Sequence, residues 1–92
     1  MKVLQTNNFK RAVKKFKINE KKALDVAVKQ ILGNLEIGER TSGVLRLVWV
    51  YKYKLNVLLY LLAYTYSEDE ITLLAVGFHE SFYRDLKKTQ HG

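Results

Sequence analysis

Residues 57–66, VLLYLLAYTY, form an apolar run rich in aromatic and aliphatic side chains and without a charged residue. Such a run predicts a strand that is buried on both faces, as in the centre of a sheet. A β-type run lies on each side of it, at residues 44–53 and 71–76. Because the links at 54–56 and 67–70 are short, we expect three strands that pair antiparallel.

The N-terminal half has a helical pattern. Residues 2–5 alternate as a brief edge strand would, and Thr6 can cap a helix on which Phe9, Ala12, Val13 and Phe16 form an apolar stripe. Asn19 is the expected cap of a second helix. Its apolar positions are Leu24, Ala27, Val28, Ile31, Leu32 and Leu35, and Gly33 with Gly38 helps to end it.

Residues 36–43 have the composition of a loop that joins the helices to the sheet, and a short helix is expected over residues 80–88. The element order is then β-α-α-β-β-β-α. The prediction is an α+β fold in which two N-terminal helices pack on a small antiparallel sheet, with residues 1–92 as a single domain.

The composition predicts a folded, basic protein. Hydrophobic residues make up 48% of the chain, and 16 Lys and Arg against 9 Asp and Glu leave a net charge of +7. An excess of this size attracts polyanions, so nucleic acid or an acidic protein is the expected partner, although a basic surface can also serve solubility alone. With no cysteine and no apolar stretch long enough for a signal peptide or a membrane span, we expect a soluble, cytoplasmic protein without membrane contact.

One face of the first long strand carries cations. Arg46, Lys52 and Lys54 share a face there, while Tyr51 and Tyr53 lie on the other. Lysines at alternate positions near a strand end, flanked by tyrosines, could hold a phosphate backbone beside a stacked base. They could equally be solvated side chains that guard the sheet from edge-to-edge association.

Residues 77–86, GFHESFYRDL, concentrate reactive groups: His79, Glu80, Tyr83 and Arg84 fall within six residues. RNA cleavage without a metal needs a base for the 2′-hydroxyl, cations for the phosphate and an acid for the leaving oxygen. His79 or Glu80 could exchange protons, while Arg84 and the strand lysines stabilise the phosphate and Tyr83 stacks or donates a hydrogen bond. Alternatively, Glu80 is a helix N-terminal charge paired with Arg84.

The segments YKYK (51–54), LYLLAY (59–64) and ITLLAVG (71–77), continued by HESFYRDL (79–86), resemble the C-terminal half of RelE/ParE superfamily toxins. The resemblance implies a RelE-like fold and a toxin of a bacterial type II toxin-antitoxin pair. In many members that toxin is a ribosome-dependent mRNA endoribonuclease, and the complex with the antitoxin represses its own promoter. By position, Lys52, Lys54, His79, Tyr83 and Arg84 can take the site roles. Many RelE-like members have an arginine where this chain has Leu58-Leu59, and Arg46 is the best substitute.

Two main functions therefore remain open, beside a third possibility, a degenerate toxin that is kept only for DNA-linked regulation. The first is an mRNA interferase that needs no metal or cofactor and acts on ribosome-bound message. Its helices would bind ribosomal RNA through their cations, which are Lys10, Arg11, Lys14, Lys15, Lys21 and Lys22. The second is a non-catalytic inhibitor of DNA gyrase or another target, as found elsewhere in the superfamily. In both cases the expected partner is a cognate antitoxin, and operator DNA is contacted only through the antitoxin complex.

Overall fold

The computed structural model describes residues 1–41, 47–79 and Phe82. Its elements follow the order β1 (Lys2–Gln5), α1 (Asn7–Lys14), α2 (Ile18–Gly33), β2 (Glu39–Arg40), β3 (Trp49–Leu55), β4 (Leu58–Tyr66) and β5 (Glu70–Phe78). The predicted α+β fold, with two N-terminal helices on a mostly antiparallel sheet, is confirmed. The helix predicted for residues 80–88 lies outside the described residues, apart from Phe82.

The five strands form one sheet in the order β1-β5-β4-β3-β2. The pairs β2–β3, β3–β4 and β4–β5 are antiparallel, while β1 runs parallel to β5. The predictions of a short N-terminal edge strand and of a central strand at residues 57–66 are confirmed. Residues 60–64 of β4 are buried whichever face they point to, because both faces of the sheet are covered there.

The core has two layers, one on each face of the sheet. The helix-side face packs α1 and α2 on the strands through Phe9, Leu24, Ala27, Ile31, Leu62, Tyr64, Ile71, Leu73 and Val76. The opposite face holds Val48, Val50, Leu61, Ala63, Leu74 and Ala75 under the ring of Phe82, which is 1% exposed. Phe82 belongs to the segment predicted as the last helix.

Side chains cap both helices. The Thr6 hydroxyl accepts a hydrogen bond from the Phe9 N–H at 3.1 Å and donates one to the Leu74 carbonyl oxygen at 2.7 Å. Thr6 is therefore the predicted cap, and it also fixes the start of α1 to β5. The prediction of Asn19 as the second cap is wrong. The α2 helix begins at Ile18, because the Glu20 carboxylate accepts a hydrogen bond from the Lys17 N–H at 2.9 Å and satisfies that terminus instead.

The segment predicted as a loop at residues 36–43 contains strand β2, which pairs with the start of β3. The Tyr64 hydroxyl fixes the segment that leads into β2 through two hydrogen bonds. It accepts one from the Gly38 N–H at 3.2 Å and donates one to the Leu35 carbonyl oxygen at 2.8 Å. A Cβ at Gly38 would lie 2.8 Å from the Val50 carbonyl oxygen. This close approach, rather than the end of α2, explains the glycine.

The strand predicted from residue 44 begins later, at Trp49, and residues 42–46 lie outside the described part of the chain. The β3–β4 link is a tight turn at Asn56 and Val57, where Asn56 has a left-handed φ of 58°. Asparagine is among the residues that tolerate this conformation best. The β4–β5 link closes through a hydrogen bond from the Ser67 N–H to the Glu70 carbonyl oxygen at 2.9 Å.

Candidate functional site

The two predicted lysines of β3 lie on the face opposite the helices. Tyr51 and Tyr53 pack against the helix-side core, whereas Val50 belongs to the core of the opposite face. Because side chains alternate along a strand, Lys52 and Lys54 follow Val50 onto the opposite face, where both are exposed. The predicted separation of Lys52 and Lys54 from the tyrosines is confirmed.

The strand registers bring the lysines and His79 to one end of the sheet. Lys52 pairs with Leu61, which in turn pairs with Gly77 on β5. Since neighbouring strands lie about 4.8 Å apart, the backbones of Lys52 and Gly77 are roughly 10 Å apart. His79 follows Gly77 by two residues and is exposed at the same sheet end as Lys54. A histidine and two lysines from distant parts of the sequence therefore border one surface.

Glu39 on β2 is a neighbour of this surface that the sequence did not indicate. Its carboxylate lies 3.9 Å from the Lys52 ammonium, and the two side chains are 77% and 49% exposed. An exposed ion pair of this length contributes little to stability. The pair therefore does not fix the Lys52 ammonium in one position. Glu39 was missed because its segment has the composition of a loop.

The other predicted site residues divide into two groups. Arg46, Glu80, Tyr83 and Arg84 lie outside the described residues. The predicted helical cations are all exposed; they are Lys10, Arg11, Lys14, Lys15, Lys21 and Lys22. Of these, Arg11 and Lys15 line a cleft on the helix-side face.

This cleft, which we call the helix-end cleft, has a volume of about 670 Å³. It lies between the end of α1, the start of α2, the β3–β4 turn and the end of β5. Three cations line it, namely Arg11, Lys15 and Lys17, and so do the apolar side chains of Leu58 and Phe78. The cleft could not be predicted from the sequence, because its walls come from separate segments of the chain.

A partly buried hydrogen bond forms the inner wall of the cleft. The Tyr60 hydroxyl donates to the Glu20 carboxylate at 2.6 Å and so ties α2 to β4. The backbone hydrogen bond from Lys17, followed by that of the Tyr60 hydroxyl, lowers the pKa of Glu20. Burial, followed by the bond to Glu20, raises the pKa of Tyr60 to about 12. At neutral pH the pair is thus a carboxylate and a neutral phenol.

Tyr60 is also part of a row of aromatic rings along the helix-side face. The ring of Tyr51 stacks on Tyr53 at 6.2 Å, Tyr53 stacks on Tyr60 at 5.5 Å, and Tyr60 contacts Phe78 at 4.9 Å between centroids. Phe16 meets Tyr60 edge-on at 5.9 Å. The row ends in Phe78, which is 46% exposed at the mouth of the cleft.

The described residues contain neither a cluster of metal ligands nor a membrane-spanning helix. Within residues 1–41, 47–79 and Phe82, no three His, Asp or Glu side chains come together as metal ligands would. No helix in that part of the chain has the length and hydropathy needed to cross a membrane.

The chain is thus a small, basic α+β protein with Lys52, Lys54 and His79 at one end of its sheet. Comparison with known families identifies the family to which it belongs. The sequence model of the family described as ParE-like toxin of type II bacterial toxin-antitoxin systems matches residues 3–87. The chain therefore belongs to the ParE-like toxins, which confirms the RelE/ParE resemblance and implies an antitoxin partner. No curated protein matches the chain.

Proposed function

We propose that this toxin is a metal-independent, ribosome-dependent mRNA endoribonuclease that acts in the cytoplasm and arrests translation. The observation that supports the proposal is the sheet end shared by Lys52, Lys54 and His79. The 2′-hydroxyl of the message attacks the adjacent phosphate and the bond to the 5′-oxygen breaks. The products are a 2′,3′-cyclic phosphate and a 5′-hydroxyl end.

The proposed site residues take two roles in RNA cleavage, proton transfer and stabilisation of negative charge. His79, with Glu80, takes the proton of the 2′-hydroxyl and returns one to the leaving 5′-oxygen. Lys52 and Lys54 balance the charge that develops on the phosphate, which fixed cations stabilise most strongly in the transition state. Three residues complete the proposed site: Arg84 and Arg46 as further phosphate contacts, and Tyr83 as a stacking or hydrogen-bonding group.

The exposed cations of α1 and α2 bind ribosomal RNA in this proposal. Each phosphate contact releases condensed counterions, so the affinity for the ribosome should fall steeply as salt rises. The toxin reaches operator DNA only within the antitoxin complex.

The test compares two double variants, each of which replaces one lysine and one histidine with alanine. Lys54→Ala with His79→Ala removes a phosphate contact and a proton-transfer group, so cleavage of ribosome-bound message should fall about 100-fold or more while the fold and antitoxin binding persist. Lys29→Ala with His91→Ala is the control, because Lys29 is exposed on α2 and neither residue belongs to the proposed site. A Lys54/His79 variant that arrests growth as strongly as the wild type would show that the site assignment is wrong.

The description of the family as ParE-like favours a second candidate, a non-catalytic inhibitor of DNA gyrase. Such a toxin uses the same basic surface only for contact. Induction in cells separates the two functions. Cleaved transcripts with normal plasmid supercoiling support the nuclease, whereas a DNA-damage response with intact transcripts supports the inhibitor.

A further inference from the structure

The helix-end cleft has an unbalanced charge. Arg11, Lys15 and Lys17 line it, and Glu20 is the carboxylate in its wall. Glu20 already accepts hydrogen bonds from the Tyr60 hydroxyl at 2.6 Å and the Lys17 N–H at 2.9 Å. Glu20 offsets one positive charge, that of Lys17, which acts on it electrostatically. Three cations against one carboxylate still leave the lining with an excess of two positive charges for an anionic ligand.

The mouth of the cleft is apolar. Leu58 and Phe78 line it and are each 46% exposed, and the neighbouring Val57 at the β3–β4 turn is 90% exposed. Large apolar side chains grouped at the surface of a charged protein indicate contact with another protein, because a polyanion such as RNA makes little use of exposed aliphatic groups. The cleft volume, about 670 Å³, lies in the range of sites that enclose a ligand.

We propose that the helix-end cleft binds a segment of the antitoxin that carries both acidic and apolar residues, arranged to match the cations and the apolar side chains of the cleft. Its apolar side chains pack on Leu58 and Phe78, and its carboxylates face Arg11, Lys15 and Lys17. Charge complementarity of this kind speeds association and fixes the register of the bound segment. The proposal rests on the type II family and not on the nuclease activity.

The position of the cleft has a consequence for neutralisation. The cleft opens on the helix-side face, whereas Lys52 and Lys54 lie on the opposite face of the sheet. The segment bound in the cleft therefore holds the antitoxin on the toxin without covering the lysines. A toxin with an altered cleft should escape its antitoxin and remain toxic.

The experiment uses the full toxin and, as the probe, the purified antitoxin encoded by the reading frame beside that of the toxin. Lys17→Glu with Leu58→Asp reverses one charge and removes one apolar anchor of the cleft. The matched control is Lys29→Glu with Val26→Asp, both exposed on α2 outside the cleft lining. We expect the dissociation constant to rise about 10- to 100-fold for the cleft variant and less than about threefold for the control.

Thermal unfolding of each variant establishes that it is folded, and Lys17→Glu alone serves if the double variant is not, since Lys17 is exposed. In cells, the cleft variant should arrest growth even when the antitoxin is co-expressed. Wild-type affinity for the antitoxin in the cleft variant would overturn the proposal. If the variant that keeps this affinity also lost its binding to ribosomes, the cleft would be a nucleic-acid site instead.

Discussion

Removing one hydroxyl from either of two stacked tyrosines should change stability in opposite directions. Tyr53 and Tyr60 pair across β3 and β4, with ring centroids 5.5 Å apart and planes 16° apart. The Tyr60 hydroxyl donates to Glu20 at 2.6 Å, whereas the Tyr53 hydroxyl is buried with no hydrogen-bond partner among the described residues. Tyr60→Phe therefore removes a bond, and Tyr53→Phe removes an unpaired polar group.

The magnitudes follow from these environments. A hydrogen bond to a charged group contributes about 1.5–3 kcal/mol, and the partial exposure of Glu20 places the stability lost in Tyr60→Phe at or below the lower end of that range, at about 1–2 kcal/mol. An unpaired buried hydroxyl costs about 1–3 kcal/mol, so Tyr53→Phe should stabilise the toxin by up to about 1 kcal/mol after repacking. In a domain of this size, 1 kcal/mol shifts the melting temperature by about 4–8 °C.

Urea denaturation at pH 7, followed by circular dichroism, measures both variants against the wild type. The pH dependence gives a second check. The folded pKa of Glu20 is lowered from its ordinary value of 4.5. The contribution of the Tyr60–carboxylate bond to the free energy of unfolding is therefore present above pH 4.5 and is lost as the pH falls through the folded pKa. Equal stabilities of Tyr53→Phe and Tyr60→Phe at pH 7 would refute this account of the aromatic row.

Two further predictions concern stability. Gly38→Ala places a Cβ 2.8 Å from the Val50 carbonyl oxygen and should destabilise the toxin by about 2 kcal/mol or more in urea denaturation. Gly33→Ala, with no atom within 4 Å, should be neutral or stabilising by up to about 1 kcal/mol; the reverse order would contradict the packing of residues 34–40 on β3. The second prediction concerns alkaline pH. Because burial and the bond to Glu20 raise the pKa of Tyr60 to about 12 from 10.0, the stabilisation by its neutral hydroxyl is complete below pH 10 and is lost as the pH rises through 12. Burial also raises the pKa of Tyr53 and of Tyr64. Absorbance titration near 295 nm should therefore show one late-ionising tyrosine fewer in Tyr60→Phe than in the wild type, and an unchanged titration would contradict the assignment.

The central position of β4 and its antiparallel pairing with β3 and β5 could be predicted because local pattern and burial agree. The apolar run at 57–66 became the central strand, and alternation along β3 separated Lys52 and Lys54 from the tyrosines. Thr6 was recognisable as a cap because its hydroxyl satisfies an N–H three residues away. Signals of this kind extend over only a few residues, so the sequence carries them directly.

Features that depend on distant segments could not be predicted. Strand β2 is two residues long and exists because Glu39 and Arg40 meet β3 after the turn at Gly38. The helix-end cleft is assembled from α1, α2, β4 and β5, and its inner wall depends on a bond between residues 40 positions apart, Glu20 and Tyr60. Composition and periodicity contain no information about such encounters.

The most direct test of the proposed nuclease activity is primer extension on a defined message bound to purified ribosomes, with and without the toxin. The account predicts cleavage that requires the ribosome, persists in a chelator and leaves a 2′,3′-cyclic phosphate. Lys54→Ala with His79→Ala should reduce the rate about 100-fold or more. Intact message under conditions in which the same toxin preparation arrests growth would contradict the account and leave inhibition of another target as its activity.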